Sequence, residues 1–385
     1  MTSAPSRTVL RQIACAVVAA EVRRQRGRDL PMPHDWPETM AIGDEGLGLD
    51  SLEQMGALGA LAEAFDLDEA SPGKEPPQTV GAWIDWIMQR HATGDGRITV
   101  TTSGSTGLPV PCTHAMSELV MEARDLAKLC LGRRRVVTLV PAHHLYGIIW
   151  TAILPAILNV PVVVRQAGAA LDLLPGDLVV AVPDQWRAIA RLTRCLPDDI
   201  VGVSSAAPLP DAQAGDLLAA GLARLIDIYG SSETGGIAVR EWPATAYQLL
   251  HRWHLSEHEG DWQILDEKGA RHALPDHIER VGDRRIRPIG RRDGAVQVGG
   301  HNVWLGRVAD VLCRIEGVAE IAVRVGSNGR LKAFIVPDAQ HDEAELLNAL
   351  ERAAADRLSV AERPRNWRFG PALPRNAMGK LEDWA

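Results

Sequence analysis

The 385-residue chain has only three Phe and three Tyr, against eleven Trp. No function attaches to that skew, and with 46% hydrophobic residues the chain can still build large cores. Cysteine is sparse as well. Cys15, Cys112, Cys130, Cys195 and Cys313 are scattered, with no Cys-x-x-Cys pair. That spacing excludes a zinc ribbon and a disulfide framework, and it suits a reduced, cytoplasmic protein. There is no basic excess: 41 Lys and Arg against 49 Asp and Glu give a net charge of −8. A nucleic-acid-binding surface needs the opposite balance. Arg133-Arg134-Arg135 is the one tight basic run, expected to be a solvated helix end. A signal peptide is not expected, because Glu21 and further arginines continue the first apolar stretch. One run of eighteen residues, Gly147 to Val164, carries no charge. It is at the lower edge of spanning length, and Pro155, Asn159 and Pro161 interrupt it, so the expectation is a buried helix followed by a buried strand.

What is present centres on Ile98 to Pro109. Ile98–Thr102 reads as a strand running into Ser103-Gly104-Ser105-Thr106-Gly107. Small residues leave backbone N–H groups unshielded, and three hydroxyls add donors, which makes a cradle for phosphate oxygens. No Gly-Lys-Ser/Thr follows at the spacing of the common nucleotide loop. The length predicts two or three domains. Residues 8–26 have helical periodicity, with Val9, Ile13, Val17, Val18 and Val22 on one face. A second helix is predicted to open at Leu47–Leu52 and run through Phe65, with Asp50 or Ser51 as its cap, and a third to begin at Thr79-Val80. From Ile98 to about Tyr229 strand and helix alternate, the pattern of a parallel or mixed sheet covered by helices. Residues 237–298 look β-rich, and a smaller α/β unit follows Asp293. The reading is an α/β multi-domain chain: a helical bundle at 1–95, a large α/β core at 96–291 and a small α+β domain at 292–385.

The first segment resembles an acyl carrier protein over roughly residues 8–92. The resemblance rests on Asp50-Ser51-Leu52 at a helix start and on the distance from Ser51 to Thr79-Val80. It implies that Ser51 is the attachment point for 4′-phosphopantetheine. The second helix has few acids, Glu53 and Glu63 before Asp66, so a purely structural domain is the alternative.

Residues 98–385 resemble the adenylate-forming superfamily of acyl-CoA synthetases, aryl-acid ligases and peptide-synthetase adenylation domains. Thr102-Ser103-Gly104-Ser105-Thr106-Gly107-Leu108-Pro109 looks like its phosphate loop. His144-Leu145-Tyr146-Gly147 resembles the aromatic motif at the acyl pocket. Ser205-Ala206-Ala207-Pro208-Leu209 resembles the adenine-contacting segment, and Tyr229-Gly230-Ser231-Ser232-Glu233 the motif that places a tyrosine near adenine and a glutamate on magnesium. Asp276 precedes Gly290-Arg291 by the distance of the ribose-binding aspartate. Gly290-Arg291-Arg292-Asp293 resembles the hinge, and Leu373–Lys380 the motif of the catalytic lysine.

The resemblance implies ATP-dependent activation of an aryl or fatty acid as acyl-AMP, then transfer to a phosphopantetheine thiol of a carrier protein or of CoA. Lys380 and Glu233 would be catalytic, with Glu233 also on magnesium. Asp276 would accept from both ribose hydroxyls, since a carboxylate has two acceptor oxygens. The acid would lie near His144, Tyr146, Gly147, Trp150, Ala206, Ala207 and Ile237, and the C-terminal domain would swing about Asp293. No counter-charge for an amino acid is evident in that set. The departures are Val110, Gln297 and Arg307, where the family usually has lysine, lysine and an acid. The core is also shortened ahead of the phosphate loop. Two alternatives stay open: a degenerate adenylation fold acting as a nucleotide- or carrier-binding scaffold, and an adenylate-dependent amide synthetase.

Overall fold

The computed structural model describes residues 5–27, 30–67, 76–92, 96–103, 109–166, 168–258, 261–292, 294–338, 342–375 and 381–384, with backbone only at 102, 103 and 109. These form two compact units. The first holds the N-terminal helices and most of the large sheet; the second holds Ser103, Pro275–His277 and the described residues from Ile289 onward.

The first unit opens with α1 (Arg7–Arg26), α2 (Ser51–Phe65) and α3 (Val80–Ala92). Ser6 Oγ accepts from Val9 N at the head of α1, and Gly27 ends the helix in the left-handed region, at φ 64°. Val9, Ile13, Val18 and Val22 are buried as the periodicity predicts, and Val17 is partly covered. At α2 Asp50 is the cap: its carboxylate accepts from Glu53 N, while Glu53 Oε2 accepts from Asp50 N. The Ser51 side chain, one position on, is exposed.

The sheet section follows as β1 (Arg97–Ser103), β2 (Pro109–Ala115), α4 (Met116–Ala127) and β3 (Arg135–Thr138). A helical run comes next: α5 (Leu145–Gly147), a π-helical turn (Ile148–Ile153) and α6 (Leu154–Leu158). Then come β4 (Val162–Val164), β5 (Asp177–Ala181), α7 (Pro183–Leu192), β6 (Val201–Ser204), α8 (Asp211–Ala219), β7 (Arg224–Ser231), β8 (Gly235–Glu241) and β9 (Tyr247–Leu249). A three-stranded sheet is formed by β10 (His254–His258), β11 (Asp261–Leu265) and β12 (Arg271–Ala273). The strands β13 (Asp276–Arg280) and β14 (Arg285–Arg291) complete a nine-stranded sheet of order β13-β14-β9-β8-β7-β6-β5-β3-β4.

Neighbours among β4, β3, β5, β6 and β7 pair in parallel; β8 and β9 continue antiparallel. Both faces of the parallel part are covered, which is why β5 and β6 are buried at every residue rather than alternating. Gly202 is required within β6, because a Cβ there would come 2.8 Å from the buried ring of Trp186. One continuous core joins the N-terminal helices to the sheet: Ile13, Phe65, Trp83 and Ile84 pack in the same cluster as Val136, Val203 and Ile226. Each fully buried aliphatic side chain such as Ile13 or Ile84 stabilises the fold by roughly 1.5–3 kcal/mol.

The uncharged run corrects one expectation. Pro155 does not break the helix, which continues to Leu158 and ends at Asn159 in the left-handed region. The π turn upstream explains this. Leu154 N donates to Ile149 O five residues back, and Pro155 falls in the first residues of a fresh α turn, where a missing N–H costs nothing. The expected strand at 160–165 is β4, partly rather than fully buried. Among the described residues no helix is long and apolar enough to cross a membrane.

The second unit contains the hairpin β15 (Val296–Val298) and β16 (His301–Val303), α9 (Leu305–Cys313), β17 (Val318–Val325), β18 (Leu331–Pro337), α10 (Glu343–Arg357) and β19 (Asn366–Phe369). Its sheet runs β17-β18-β19, with β19 parallel to β18. Val308, Leu312, Leu346 and Leu350 from the helices cover one face at Ala333 and Ile335. On the other face Trp384 packs against Ala322, Phe334 and Val336.

Candidate active site

In an open α/β sheet, ligands bind beyond the carboxyl ends of the parallel strands. The motif residues of the first unit gather at that edge. The segment after β3 carries His143, His144 and Tyr146. The His143 and His144 rings have centroids 4.1 Å apart and are tilted by 49°, and burial pulls His143 down to about 3, so it is neutral at pH 7. The Tyr146 hydroxyl is buried at the ends of the next two strands, 3.2 Å from Ala181 O and 3.0 Å from Val203 O. Burial drives that phenol far above its usual range, so it remains a donor. Gly147 is tightly enclosed: a Cβ would lie 1.9 Å from Pro141 O. Trp150 and Ile237 are 1% and 0% exposed, and both belong to the continuous core.

After β6, Ser205 Oγ donates to Ile228 O at 2.9 Å and ties this segment to β7. Ala206 takes φ 72°, a left-handed conformation rare for a residue with a Cβ. Ala206 and Pro208 are exposed, with Ala207 between them half-buried, and Leu209 anchors the segment in the core on the other sheet face. After Tyr229 the ladder bulges, and Gly230 is needed because a Cβ would meet Gly235 O at 2.3 Å. The turn that follows is tied by Ser231 Oγ, which accepts from Thr234 N at 3.3 Å and lies 3.0 Å from Thr234 Oγ1. It presents Glu233 to solvent. The Tyr229 ring is 5.9 Å from that of Tyr247, whose hydroxyl donates to buried Asp227 at 2.6 Å; Arg240 Nε donates to the same carboxylate at 2.9 Å. Burial raises the Asp227 pKa against both of these partners.

Comparisons with known proteins show the family. The family model described as AMP-binding enzyme matches residues 62–272. The 4-coumarate–CoA ligase of Rhodobacter capsulatus is 38% identical over 393 residues, covering 98% of this chain and 100% of that protein. The chain belongs to the AMP-binding enzyme family. It is an AMP-forming ligase. The 4-coumarate–CoA ligase of Halorhodospira halophila is 36% identical over 372 residues, 94% of each chain. Among solved structures, an o-succinylbenzoate CoA synthetase from Bacillus subtilis matches with TM-score 0.59 at 18% identity, covering 74% of this chain and 67% of its own. A malonyl-CoA ligase matches with TM-score 0.57 at 24% identity, covering 72% and 71%. Those two share the fold.

The remaining motif residues of the ligase divide as follows. β1 and β2 form a hairpin, with Thr99 Oγ1 and Thr113 Oγ1 2.9 Å apart across it. The backbone of Thr102 and Ser103 ends β1; Gly104, Ser105, Thr106 and Gly107 lie outside the described residues, as do Asp293 and Lys380. Val110, at the position of the missing lysine, is 43% exposed. Asp276 opens β13, and its carbonyl accepts from Arg292 Nε at 3.0 Å; Arg291 closes β14. In the second unit Gln297 Nε2 donates to Asn302 Oδ1, and Arg307 is paired with Glu362. The segment bearing Lys380 is bracketed by a bridge between Arg375 and Leu381.

Among the described residues no three His, Cys, Asp or Glu side chains cluster as a metal cage. A single exposed carboxylate, Glu233, instead suits magnesium that arrives on nucleotide phosphates, an ion usually bound through one or two carboxylates and phosphate oxygens.

Sequence reasoning missed three side chains under the Glu233 turn. Glu122 of α4 is buried; its Oε1 accepts from Gly236 N at 2.9 Å and its Oε2 from Arg252 Nη2 at 2.8 Å. Arg252 also donates to Thr234 O at 2.5 Å. His114 of β2 sits 2.7 Å from Ser232 O through Nε2; a carbonyl only accepts, so that nitrogen carries the proton. Burial holds His114 below the usual histidine range and pushes Glu122 up to about 7, the latter opposed by Arg252 and the Gly236 N–H. A signal for Glu122 existed. It falls three residues after Leu119 and four before Leu126, on the apolar face of its helix.

Proposed function

We propose that the ligase activates an aryl carboxylic acid of the 4-coumarate kind and transfers it to the thiol of CoA. The observation that carries this reading is the likeness along 98% of the chain to a protein named for that reaction, joined to the clustering of its motif residues at one sheet edge. The acid carboxylate attacks the α-phosphorus of ATP, the bond to the β-phosphate oxygen breaks, and pyrophosphate leaves. A thiolate then attacks the carbonyl carbon of the acyl-AMP, forming the thioester and releasing AMP. Two anions meet in the first step, so positive charge must be supplied where charge develops. Glu233 would hold magnesium, which neutralises phosphate oxygens when bound. The loop at 103–107 would receive the β- and γ-phosphates, Tyr229 and Ala206–Pro208 the adenine, Asp276 the ribose hydroxyls, and Lys380 the developing charge.

The acyl pocket is assigned to the segments that carry His144, Tyr146 and Gly147 and Ala206–Ala207; Trp150 and Ile237 lie in the core. The set His144, Tyr146, Gly147, Ala206 and Ala207 contains no carboxylate of its own, which disfavours an α-ammonium there. ATP–pyrophosphate exchange over hydroxycinnamic, benzoic, fatty and amino acids tests the reading. The expected result is exchange with an aryl acid and magnesium, followed by an aryl-CoA product. Exchange driven best by a free amino acid would overturn the substrate class. Tight ATP binding with no exchange for any acid would favour the scaffold reading, and capture by an amine in preference to a thiol the amide reading.

A second acceptor rests on one observation. Asp50 already caps α2, so the Ser51 hydroxyl is not needed there; it is exposed beside Leu52 and Met55, which are 58% and 70% exposed. That arrangement favours Ser51 as an attachment point for phosphopantetheine, as in the carrier-protein resemblance. A tethered thiol would act at high effective concentration. Intact mass after incubation with a broad phosphopantetheinyl transferase is the test. An unmodified Ser51, with aryl transfer still reaching free CoA, leaves the N-terminal helices a structural role.

A further inference from the structure

The turn that presents Glu233 has no long side chain of its own to hold it. Its residues, Ser231, Ser232 and Thr234, are small, and their mutual hydrogen bonds fix its shape but not its place on the sheet. Its place is set from below. His114 comes from β2, Glu122 from α4 and Arg252 from the segment after β9, and each meets the backbone of the turn or of its exit strand at Ser232, Gly236 and Thr234. The side chains of Glu122 and Arg252 are 1% and 13% exposed. Gly235 and Gly236 are shaped to this contact: a Cβ on either would come 2.6 or 2.5 Å from a Glu122 carboxylate oxygen. Burying such an ion pair is no efficient route to stability, because the desolvation cost offsets the attraction. Its yield is geometry, since a guanidinium aimed at a carboxylate and a carbonyl together admits few alternative positions. Arg252 is further seated on the Trp253 ring, 4.5 Å from its centroid, and Trp253 Nε1 donates to Gly236 O at 2.7 Å.

We propose that Glu122 and Arg252 are positioning residues for Glu233, fastening the turn so that its carboxylate meets the magnesium of the incoming nucleotide in one fixed place. The proposal rests on the reading of Glu233 as the magnesium carboxylate. α4 directly follows β2, so His114 and Glu122 reach the turn from adjoining elements. The adenylation step uses this geometry; the thiol-transfer step, in which no pyrophosphate is held, does not.

The test uses the full-length enzyme and measures both half-reactions separately against magnesium concentration. Glu122→Ala and Arg252→Met are expected to raise the magnesium needed for half-maximal pyrophosphate exchange by about 10- to 100-fold, the usual consequence of losing a partner that orients a metal ligand. Thioester formation from preformed acyl-AMP should stay within about threefold, since it lacks the oriented-charge requirement. Glu122→Gln keeps the volume and one acceptor, so it should recover part of the loss; it carries the same test if Glu122→Ala does not fold. Equal losses in both half-reactions, with an unchanged magnesium profile, would reduce the pair to a structural role and overturn the proposal. Glu233→Gln run in parallel separates the two layers. If it shifts the magnesium profile and the Glu122 variants do not, positioning fails and Glu233 stands. If Glu233→Gln itself leaves the profile unchanged, the reading of Glu233 fails and takes the proposal with it.

Discussion

Ala206 shows how a single residue of the site stores strain. At φ 72° an L-residue with a Cβ is disfavoured by about 1–2 kcal/mol, and glycine there would relieve this at an entropic cost of about 0.5–1 kcal/mol. Ala206→Gly should therefore leave stability unchanged or raise it by up to about 1 kcal/mol, while Ala206→Val, β-branched at positive φ, should lower it by 2 kcal/mol or more on the scale of strained backbone positions. Urea midpoints decide this; a valine variant as stable as the parent would remove the strain argument. His143 offers a second check with a defined sign. Burial lowers its folded pKa from 6.5 to about 3, so between those values the unfolded chain binds the extra proton. Stability contributed by neutral His143 is thus full above pH 6.5 and falls as the pH drops toward 3. Its Nδ1 is buried without a hydrogen-bond partner among the described residues, so His143→Phe should cost little at pH 7 and should flatten the acid limb of the stability profile by up to one proton. An unchanged acid limb would show that His143 ionises freely in the folded protein.

Elements whose signal is local were legible. The periodic face of α1, the uninterrupted apolar runs of β5 and β6, and the later units β17, β18 and α10 follow from pattern alone. The Tyr229–Glu233 segment was legible only through its resemblance to a family motif; the bulge that makes Gly230 necessary was not. What was not legible depended on partners remote in sequence. Glu122 stands out on the apolar face of its helix, but its partner Arg252, 130 residues away, is announced by nothing local. The passage of a helix through Pro155 depends on a π turn that no periodicity announces. The N-terminal helices are another matter: each is amphipathic, their apolar faces close on the sheet as well as on one another, and α1 packs on the π turn. Deleting residues 1–92 should for that reason expose Val136-side core and produce an aggregating fragment, read by light scattering and by binding of a hydrophobic dye. A soluble, active fragment would contradict the shared core.

At the scale of the whole molecule, the ligase places its proposed catalytic groups on two units: Glu233 and Tyr229 on the first, Lys380 in the sequence of the second. If the C-terminal domain swings about Asp293 between half-reactions, the two chemical steps should separate under mutation rather than fail together. On the proposed reading, Lys380→Ala removes a positive charge from the step in which two anions meet. It should lower adenylation by about 10²-fold or more while leaving thioester formation from preformed acyl-AMP nearly intact. Lys380→Arg keeps the charge and changes its shape, and should recover only part of the rate, because a planar fork does not reproduce a compact ammonium. Single-turnover measurement of each half-reaction provides the split directly. Equal loss in both steps would mean that Lys380 supports the fold or both chemistries alike, and the two-position account of this chain would have to be abandoned.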